Sequence, residues 1–583
     1  MTLTDSSSAN SSSANSFGAN SSDALWRRGL STLTDFGTAA HSRAVLVLLV
    51  FCMLAFLPGI TRIPPIDRDE ARFAQATKQM VETGDFVDIR FQDEVRYKKP
   101  VGIYWLQAVS VKVADTLGVN DAERKIWLYR LPSFIGATGA VLLTYWAALA
   151  FASRRAAMLA AIMMAGSILL GVEARLAKTD AMLLLTVVAA MGALARVYLG
   201  EGAKGYRKWI LPGIFWTALA GGMLIKGPLI LMIVGLTAVS LIAFDRHARW
   251  LPALKPIVGL LWFVLLVLPW FLAILLKSGN AFFSQSVGQD LLSKVATGQE
   301  SHGAWPGYYL LLFFVTFWPA SIFSGLVAPA IWRDWRQAET RFLLAWLIPS
   351  WVVFELVATK LPHYVLPLYP AIAILMAGRI VKNDLSRQIW LERGALWWFA
   401  VPLIVGLGAI IGLGWLGGKP GLLAMIFVAA AIIFGFRAWW LYGADGPERS
   451  MLRAATAAIL LSVAIYARVI PFLPNLFPSP VIARALQESG CASPLAAAAG
   501  FHEPSLVFLV GTETVLTDGA GAADFLRNGS CRFALIETRH ERSFAQRADA
   551  IGLRYTPLPR VEGVNIGGGR NLSIAIFRSG DGS

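Results

Sequence analysis

The stretch "AVLVLLVFCMLAFLPGITRIPPIDRDEARFAQ", residues 44–75, decides how the rest of the chain is read. Residues 44–60 are apolar throughout and long enough to cross a bilayer, which takes about 17 to 25 residues. Asp67, Arg68, Asp69, Glu70 and Arg72 follow within a few residues. Charge packed against the edge of a membrane span is costly and needs a reason.

The same apolar pattern recurs outward from this point. Of 583 residues, 56% are hydrophobic and 15% charged, and the mean hydropathy is +0.57. Soluble domains carry about 25% charged residues. The chain therefore reads as a polytopic all-α membrane protein. Thirteen apolar windows stand out, near 43–60, 132–151, 156–173, 179–199, 210–225, 228–244, 256–276, 308–330, 341–357, 363–381, 395–415, 420–441 and 451–470. Basic residues concentrate before the first window and after the even-numbered ones, as in Arg154/Arg155, Arg246/Arg249/Lys255 and Arg333/Arg336/Arg341. The positive-inside rule then predicts a cytoplasmic N-terminus, and an odd count predicts a C-terminus on the opposite face. These loops account for most of the +15 net charge, and no basic–aromatic platform points to nucleic acid.

Three regions fall outside the windows. Residues 1–40 begin with a Ser/Ala/Asn-rich tract expected to be disordered. Residues 41–475 hold the windows and a long loop, 61–131. Within that loop, Phe73, Ala76, Met80 and Val81 predict an amphipathic helix lying on the membrane, and residues 101–118 predict a second, interfacial or re-entrant one. Residues 478–583 change composition: strand-like "SLVFLVG", "CRFALIE" and "NLSIAIFR" alternate with helix-like "AADFLRNG" and "RSFAQRADAIG". That alternation predicts a small C-terminal α/β domain. "GGG" at 567–569 reads as a hairpin turn. Cys491 and Cys531 both fall in this tail, where a disulfide is an option, while Cys52 reads as an apolar filler.

Four motifs carry candidate chemistry. In "DRDEAR", Asp67 and Glu70 have capping-box spacing, and Asp69 and Arg72 share a helix face. In "EVRYKKPVGIYW", 94–105, Lys98 and Lys99 precede Pro100. In "EARLAKTDAMLLL", 173–185, Arg175 and Lys178 precede Asp180 at the start of a window. Two turns, "MLIKGPL" (223–229) and "ATKLPHYVLPLYP" (358–370), place Lys226 and then Lys360, His363 and Tyr364 on the same face. Structural readings exist for each: caps, interfacial anchors and snorkelling lysines. The functional reading is a site for an anionic headgroup carrying a membrane tail. A polyprenyl-phosphate sugar fits, because its phosphate leaves readily once cations stabilise the developing charge. Asp69, and next Asp180, would orient or deprotonate the acceptor. His302, with Glu300, is a weak metal candidate.

These motifs, in this order, resemble the GT-C glycosyltransferases over residues 45–375. They are most similar to the bacterial aminoarabinose transferase and dolichyl-phosphate-mannose protein mannosyltransferase group (family 39/83-like). The resemblance implies the GT-C fold with about thirteen spans and inverting transfer on the periplasmic side of the inner membrane. The donor it implies is a polyprenyl-phosphate sugar. The acceptor would be lipid A or another envelope glycolipid or polysaccharide; the alternative is a protein, by O-mannosylation. By matching positions it gives Asp69 and Asp180 the catalytic places and Arg72, Lys99 and Tyr364 the donor phosphate, to which the cationic turns themselves add Lys226 and Lys360. Glu70, Lys98, Arg175 and His363 are expected to bind substrate. Where aminoarabinose transferases read Glu-Lys-Pro, this chain has Lys98-Lys99-Pro100, so that glutamate ligand for a divalent metal is missing. A secondary transporter or flippase for an anionic lipid would instead show two-half symmetry and charges near mid-membrane. A purely structural membrane protein would leave the acid and lysine turns without a purpose.

Overall fold

The computed structural model describes residues 29, 32, 34–200, 208–286, 288, 303–565 and 569–580. Each of the thirteen apolar windows is occupied by helix. Among the described residues, seven helices are long and apolar enough to cross a membrane, and His41–Phe56, Ile210–Lys226 and Leu229–Asp245 are shorter apolar helices. The chain is a multi-pass membrane protein.

Several windows are broken where the sequence forces it. The third divides at Ser167, whose hydroxyl accepts the Leu170 N–H and caps a second short helix, Ile168–Glu173. Ser/Thr caps of this kind supply a partner for an orphan N–H. The tenth begins as a 3-10 turn, Pro362–Leu368, before Tyr369–Val381.

The loop after the first helix is ordered and largely buried. Its helix Asp69–Thr83 buries Phe73, Ala76 and Met80, and also Gln75, Thr77 and Lys78. It is therefore not a surface helix with one wet face, as its pattern predicts. Helix Gly102–Thr116 packs on it from one side and the tail from another. Gln75 Nε2 donates to Thr512 Oγ1 at 2.9 Å, Lys78 Nζ to the Phe508 carbonyl at 3.2 Å, and Thr512 Oγ1 to Glu82 at 2.7 Å. The polar face lies against protein.

The tail forms a five-stranded sheet in the order Val515–Thr517, Leu495–Ala499, Arg532–Glu537, Arg570–Ser579, Tyr555–Asn565. The first three strands run parallel and the last two add antiparallel. Helices Gly519–Arg527 and Glu541–Ala550 match the two helical segments read from the sequence. Asn565 pairs with Arg570, so these two strands form a hairpin; residues 566–568 of its connection, with two of the three glycines, lie outside the described part. Cys491 and Cys531 are bonded, their Cα atoms 5.7 Å apart. Cys52 is buried and free. "SLVFLVG" is corrected: Pro504–Val510 is a helix. Pro504 starts it without needing an N–H. Phe508 then packs edge-on to Tyr129 at 5.2 Å, a tertiary contact that outweighs β propensity.

Candidate functional site

The site assembles where four chain segments meet at one end of the bundle. Helix Asp180–Tyr198 brings Asp180 in its first turn, and helix Ile210–Lys226 brings Lys226 in its last. Gly227 has φ of +76°, a value glycine adopts without strain, and this lets the chain reverse at once after Lys226. Gly102 supplies the close approach of the third segment: a Cβ there would lie 2.7 Å from the Leu224 carbonyl oxygen. Helix Gly102–Thr116 therefore abuts the Lys226 helix and holds Lys99 and Pro100 beside it. The turn at Pro362–Leu368 contributes His363 and Tyr364.

Asp180 is buried and ion-paired with Lys226 through Oδ1, while Lys178 Nζ stands 3.8 Å from Oδ2. Lys226 Nζ also sits over the Tyr364 ring, 5.4 Å from its centre. Glu173, which the sequence reading did not single out, lies in the same cluster. Lys178 Nζ is 3.5 Å from its Oε1, and its Oε2 is buried without a hydrogen-bond partner among the described residues. His363 bridges the two acids, with Nδ1 3.7 Å from Glu173 and Nε2 3.7 Å from Asp180. Burial works against the Lys178 charge, but Glu173, Asp180 and the nearby Asp69 outweigh it and hold its pKa above the usual lysine range. Asp69 thus reaches the cluster electrostatically while its side chain is exposed to solvent. Arg68, just before it, holds φ of +70°; such strain is found where surrounding structure fixes a functional residue. Lys99 is half-buried and its charge also acts on His363. Arg72 is half-buried one turn from Asp69, and Lys98 is exposed.

Three expected site residues serve the fold instead. Glu70 is 2% exposed and accepts from Arg130 Nε and Nη2 at 2.8 Å each, from Ile66 N and from Ala177 N. No oxygen remains for a substrate, so the substrate-binding assignment is corrected to a strut. The capping box fails with it: Asp67 accepts the Ser505 N–H of the tail at 3.0 Å, and Arg68 takes the N-cap position. Arg175 is buried, stacked 4.0 Å over Tyr466, and donates to the carbonyls of Pro58, Ala55 and Gly171 and to Ser462. Its donors close a helix junction, so it is not a substrate contact. Lys360 is 4% exposed and donates to the carbonyls of Glu355 and Val357 at 2.7 and 2.8 Å. It caps the end of helix Ala338–Leu356, as lysines near a C-terminus do, and does not face the Asp180 cluster.

Glu173, Asp180 and His363 offer ligand atoms within 4.8 Å of one another, the right donor types for a divalent cation. The fit is poor on charge. Two lysines already neutralise the two carboxylates, and a metal would have to displace Lys226 from Asp180. The set is an ion-pair network. His302 lies outside the described residues.

ArnT from Cupriavidus metallidurans superposes in its apo state with a TM-score of 0.72, at 17% identity, over 92% of this chain and 98% of that one. The chain has the fold of ArnT. The same enzyme bound to undecaprenyl phosphate gives a TM-score of 0.69, at 17% identity, over 91% of this chain and 97% of that one. In sequence, the ArnT-like part is similar to the undecaprenyl phosphate-alpha-4-amino-4-deoxy-L-arabinose arabinosyl transferases of Yersinia pestis and Erwinia tasmaniensis. The Yersinia pestis protein is 27% identical over 343 residues, 58% of this chain and 59% of its own length. The Erwinia tasmaniensis protein is 26% identical over 379 residues, 64% of this chain and 65% of its own length. The chain thus spans about three fifths of the length of these relatives. Residues 98–272 match the family described as dolichyl-phosphate-mannose-protein mannosyltransferase.

Proposed function

We propose that this chain is a membrane glycosyltransferase. It moves a sugar from a polyprenyl-phosphate donor to lipid A or another envelope glycolipid, on the periplasmic side of the bacterial inner membrane. The observation that carries this reading is one end of an ArnT fold where the exposed acid Asp69 acts electrostatically on Lys178, which shares Asp180 with Lys226, while the Lys99 charge acts on His363 of the same cluster. The acceptor hydroxyl attacks the anomeric carbon as the bond to phosphate oxygen breaks, and Asp69 takes the hydroxyl proton. Lys226, Lys99 and Arg72 stabilise the leaving phosphate, with Tyr364 packed beneath Lys226. Asp180 is a poor base because two ammonium groups hold it; its role is to position Lys226. Lys98 and His363 are assigned to substrate binding on their place next to Lys99 and Tyr364 in the chain. Nothing in this scheme passes through a metal.

Reconstituted full-length protein, given an undecaprenyl-phosphate-linked aminosugar and lipid A, tests it by mass spectrometry of the product. Asp69→Asn should lower transfer about 10²- to 10⁴-fold, the usual contribution of a general base, and leave thermal stability unchanged. Full activity of this variant sinks the assignment. Transfer to a serine/threonine peptide, and not to lipid A, would favour the protein mannosyltransferase reading, which the family match at residues 98–272 keeps open.

A further inference from the structure

Helix Asp180–Tyr198 has a second charged end. At about 1.5 Å per residue, its last residue lies about 27 Å from Asp180. There Tyr198 lines a cavity of about 560 Å³ at the opposite face of the bundle. Its described lining holds four fixed cations, Lys208, Arg249, Lys255 and Arg341, against one carboxylate, Asp245.

Arg341 and Asp245 balance each other. Arg341 Nη2 is 3.0 Å from Asp245, and Arg341 Nε donates to the Tyr198 hydroxyl at 3.0 Å. Among the described residues that leaves Lys208, Arg249 and Lys255 as a positive rim without a counter-charge, with Lys255 Nζ 5.7 Å from the centre of the Trp209 ring. An independent feature points to an acceptor in the cavity. Trp250 lines it and is 7% exposed, yet its indole N–H is buried and finds no hydrogen-bond partner among the described residues. An indole can only donate, and an unmet buried donor is costly. The nitrogen has no open surface in this conformation, so a phosphate oxygen meets it once the ring edge swings toward the cavity it lines. The neighbours of the rim are apolar and outward-facing: Trp209, Ile210 and Ile257 are all exposed. The site therefore adjoins the acyl chains of a membrane as well as its headgroups. The positive-inside rule reads this end as the cytoplasmic one, where anionic lipids draw basic groups.

We infer that this cavity binds a phosphate-bearing headgroup of an anionic membrane lipid, held by Lys208, Arg249 and Lys255 and oriented by the Trp250 indole N–H. It is separate from the sugar-transfer site and does not depend on it. The full-length protein in detergent, stripped of lipid, would be titrated with phosphatidylglycerol or phosphatidylcholine and followed by native mass spectrometry. Phosphatidylglycerol should be retained over phosphatidylcholine. Lys208→Ala/Arg249→Ala, at two exposed positions, should weaken that retention about 30-fold, and Trp250→Phe should weaken it several-fold while keeping the ring. Millimolar inorganic phosphate should not displace the lipid. Equal retention of both lipids, or an unchanged affinity in a folded double variant, overturns the inference. Displacement by inorganic phosphate overturns the lipid source and assigns the cavity to a soluble phosphate.

Discussion

Two buried acid–cation pairs lie near the same end of this bundle, and they do opposite work. Glu70 and Arg130 form a closed set. Both Glu70 oxygens are occupied by Arg130 and two backbone N–H groups, and Arg130 also donates to the carbonyls of Ile60, Ile63 and Pro64. Asp180 and Lys226 form an open one. Beside them Glu173 keeps an oxygen unmet among the described residues, and His363 stands 3.7 Å from both acids, beyond hydrogen-bond reach. Burial and charge are common to both pairs. Leftover bonding capacity separates a strut from a site.

Glu70 separates the two pairs most sharply. Glu70→Gln leaves Arg130 buried beside a neutral amide and should cost about 3–5 kcal/mol of stability, the usual penalty for opening a buried pair. A fall in thermal unfolding temperature in detergent would register it. Glu70→Gln/Arg130→Met should recover part of the loss, since neither charge is then stranded. If Glu70→Gln folds normally and only transfer is lost, Glu70 belongs to the site after all.

Lys226 and Lys360 sharpen the same contrast, because the sequence presents them alike, each in a turn between apolar windows. Lys226→Met should lower transfer about 10²-fold, as removal of one transition-state donor does. Its stability cost should be smaller than that of Glu70→Gln, because Lys178 still faces Asp180 at 3.8 Å. Lys360→Met should do the reverse. It uncaps helix Ala338–Leu356, costing about 1 kcal/mol, and leaves the affinity for undecaprenyl phosphate unchanged. Equal effects of the two substitutions on transfer would put Lys360 back beside the donor.

Much of this is legible in the sequence. All thirteen apolar windows hold helix, because long apolar runs can satisfy their backbone in a membrane only by coiling. Asp180, Lys226, His363 and Tyr364 come together as their shared face suggested. What the sequence hid was which charge faces which partner. Glu70 and Arg130 are sixty residues apart, and nothing local links them. Glu173 sits at the end of an apolar window and carries no motif spacing of its own. The strand Leu495–Ala499 has alanine at four of its five positions and reads as helix by propensity. Ala496 and Ala498 join one buried apolar cluster of the tail, while Ala497 and Ala499 join another, which also holds Ala522 and Phe544.

The smallest effect concerns the seam between the two parts of the chain. Asp67 reaches across it to the Ser505 N–H, and burial pushes its carboxyl up to about 6, with Glu503 adding to the rise and the Ser505 hydrogen bonds opposing it. The sign follows from which state holds the proton. Between the ordinary carboxylate range and pH 6 the unfolded chain has already ionised, while the folded one keeps Asp67 protonated. Stability therefore falls as pH rises through that window, and the loss is complete above it. Asp67→Asn cannot ionise and still offers an oxygen to Ser505. It should flatten the profile and leave the docked tail more stable at pH 7.5 by about 1 kcal/mol, a figure discounted for residual solvent contact. Hydrogen exchange of helix Pro504–Val510 between pH 4.5 and 7.5, corrected for intrinsic rates, measures this directly. The same slope in wild type and Asp67→Asn would place the pH dependence elsewhere. A flat profile in the variant alone would show that the tail is held on the first-loop helix by a contact that loosens as the carboxylate ionises, within one turn of the proposed base, Asp69.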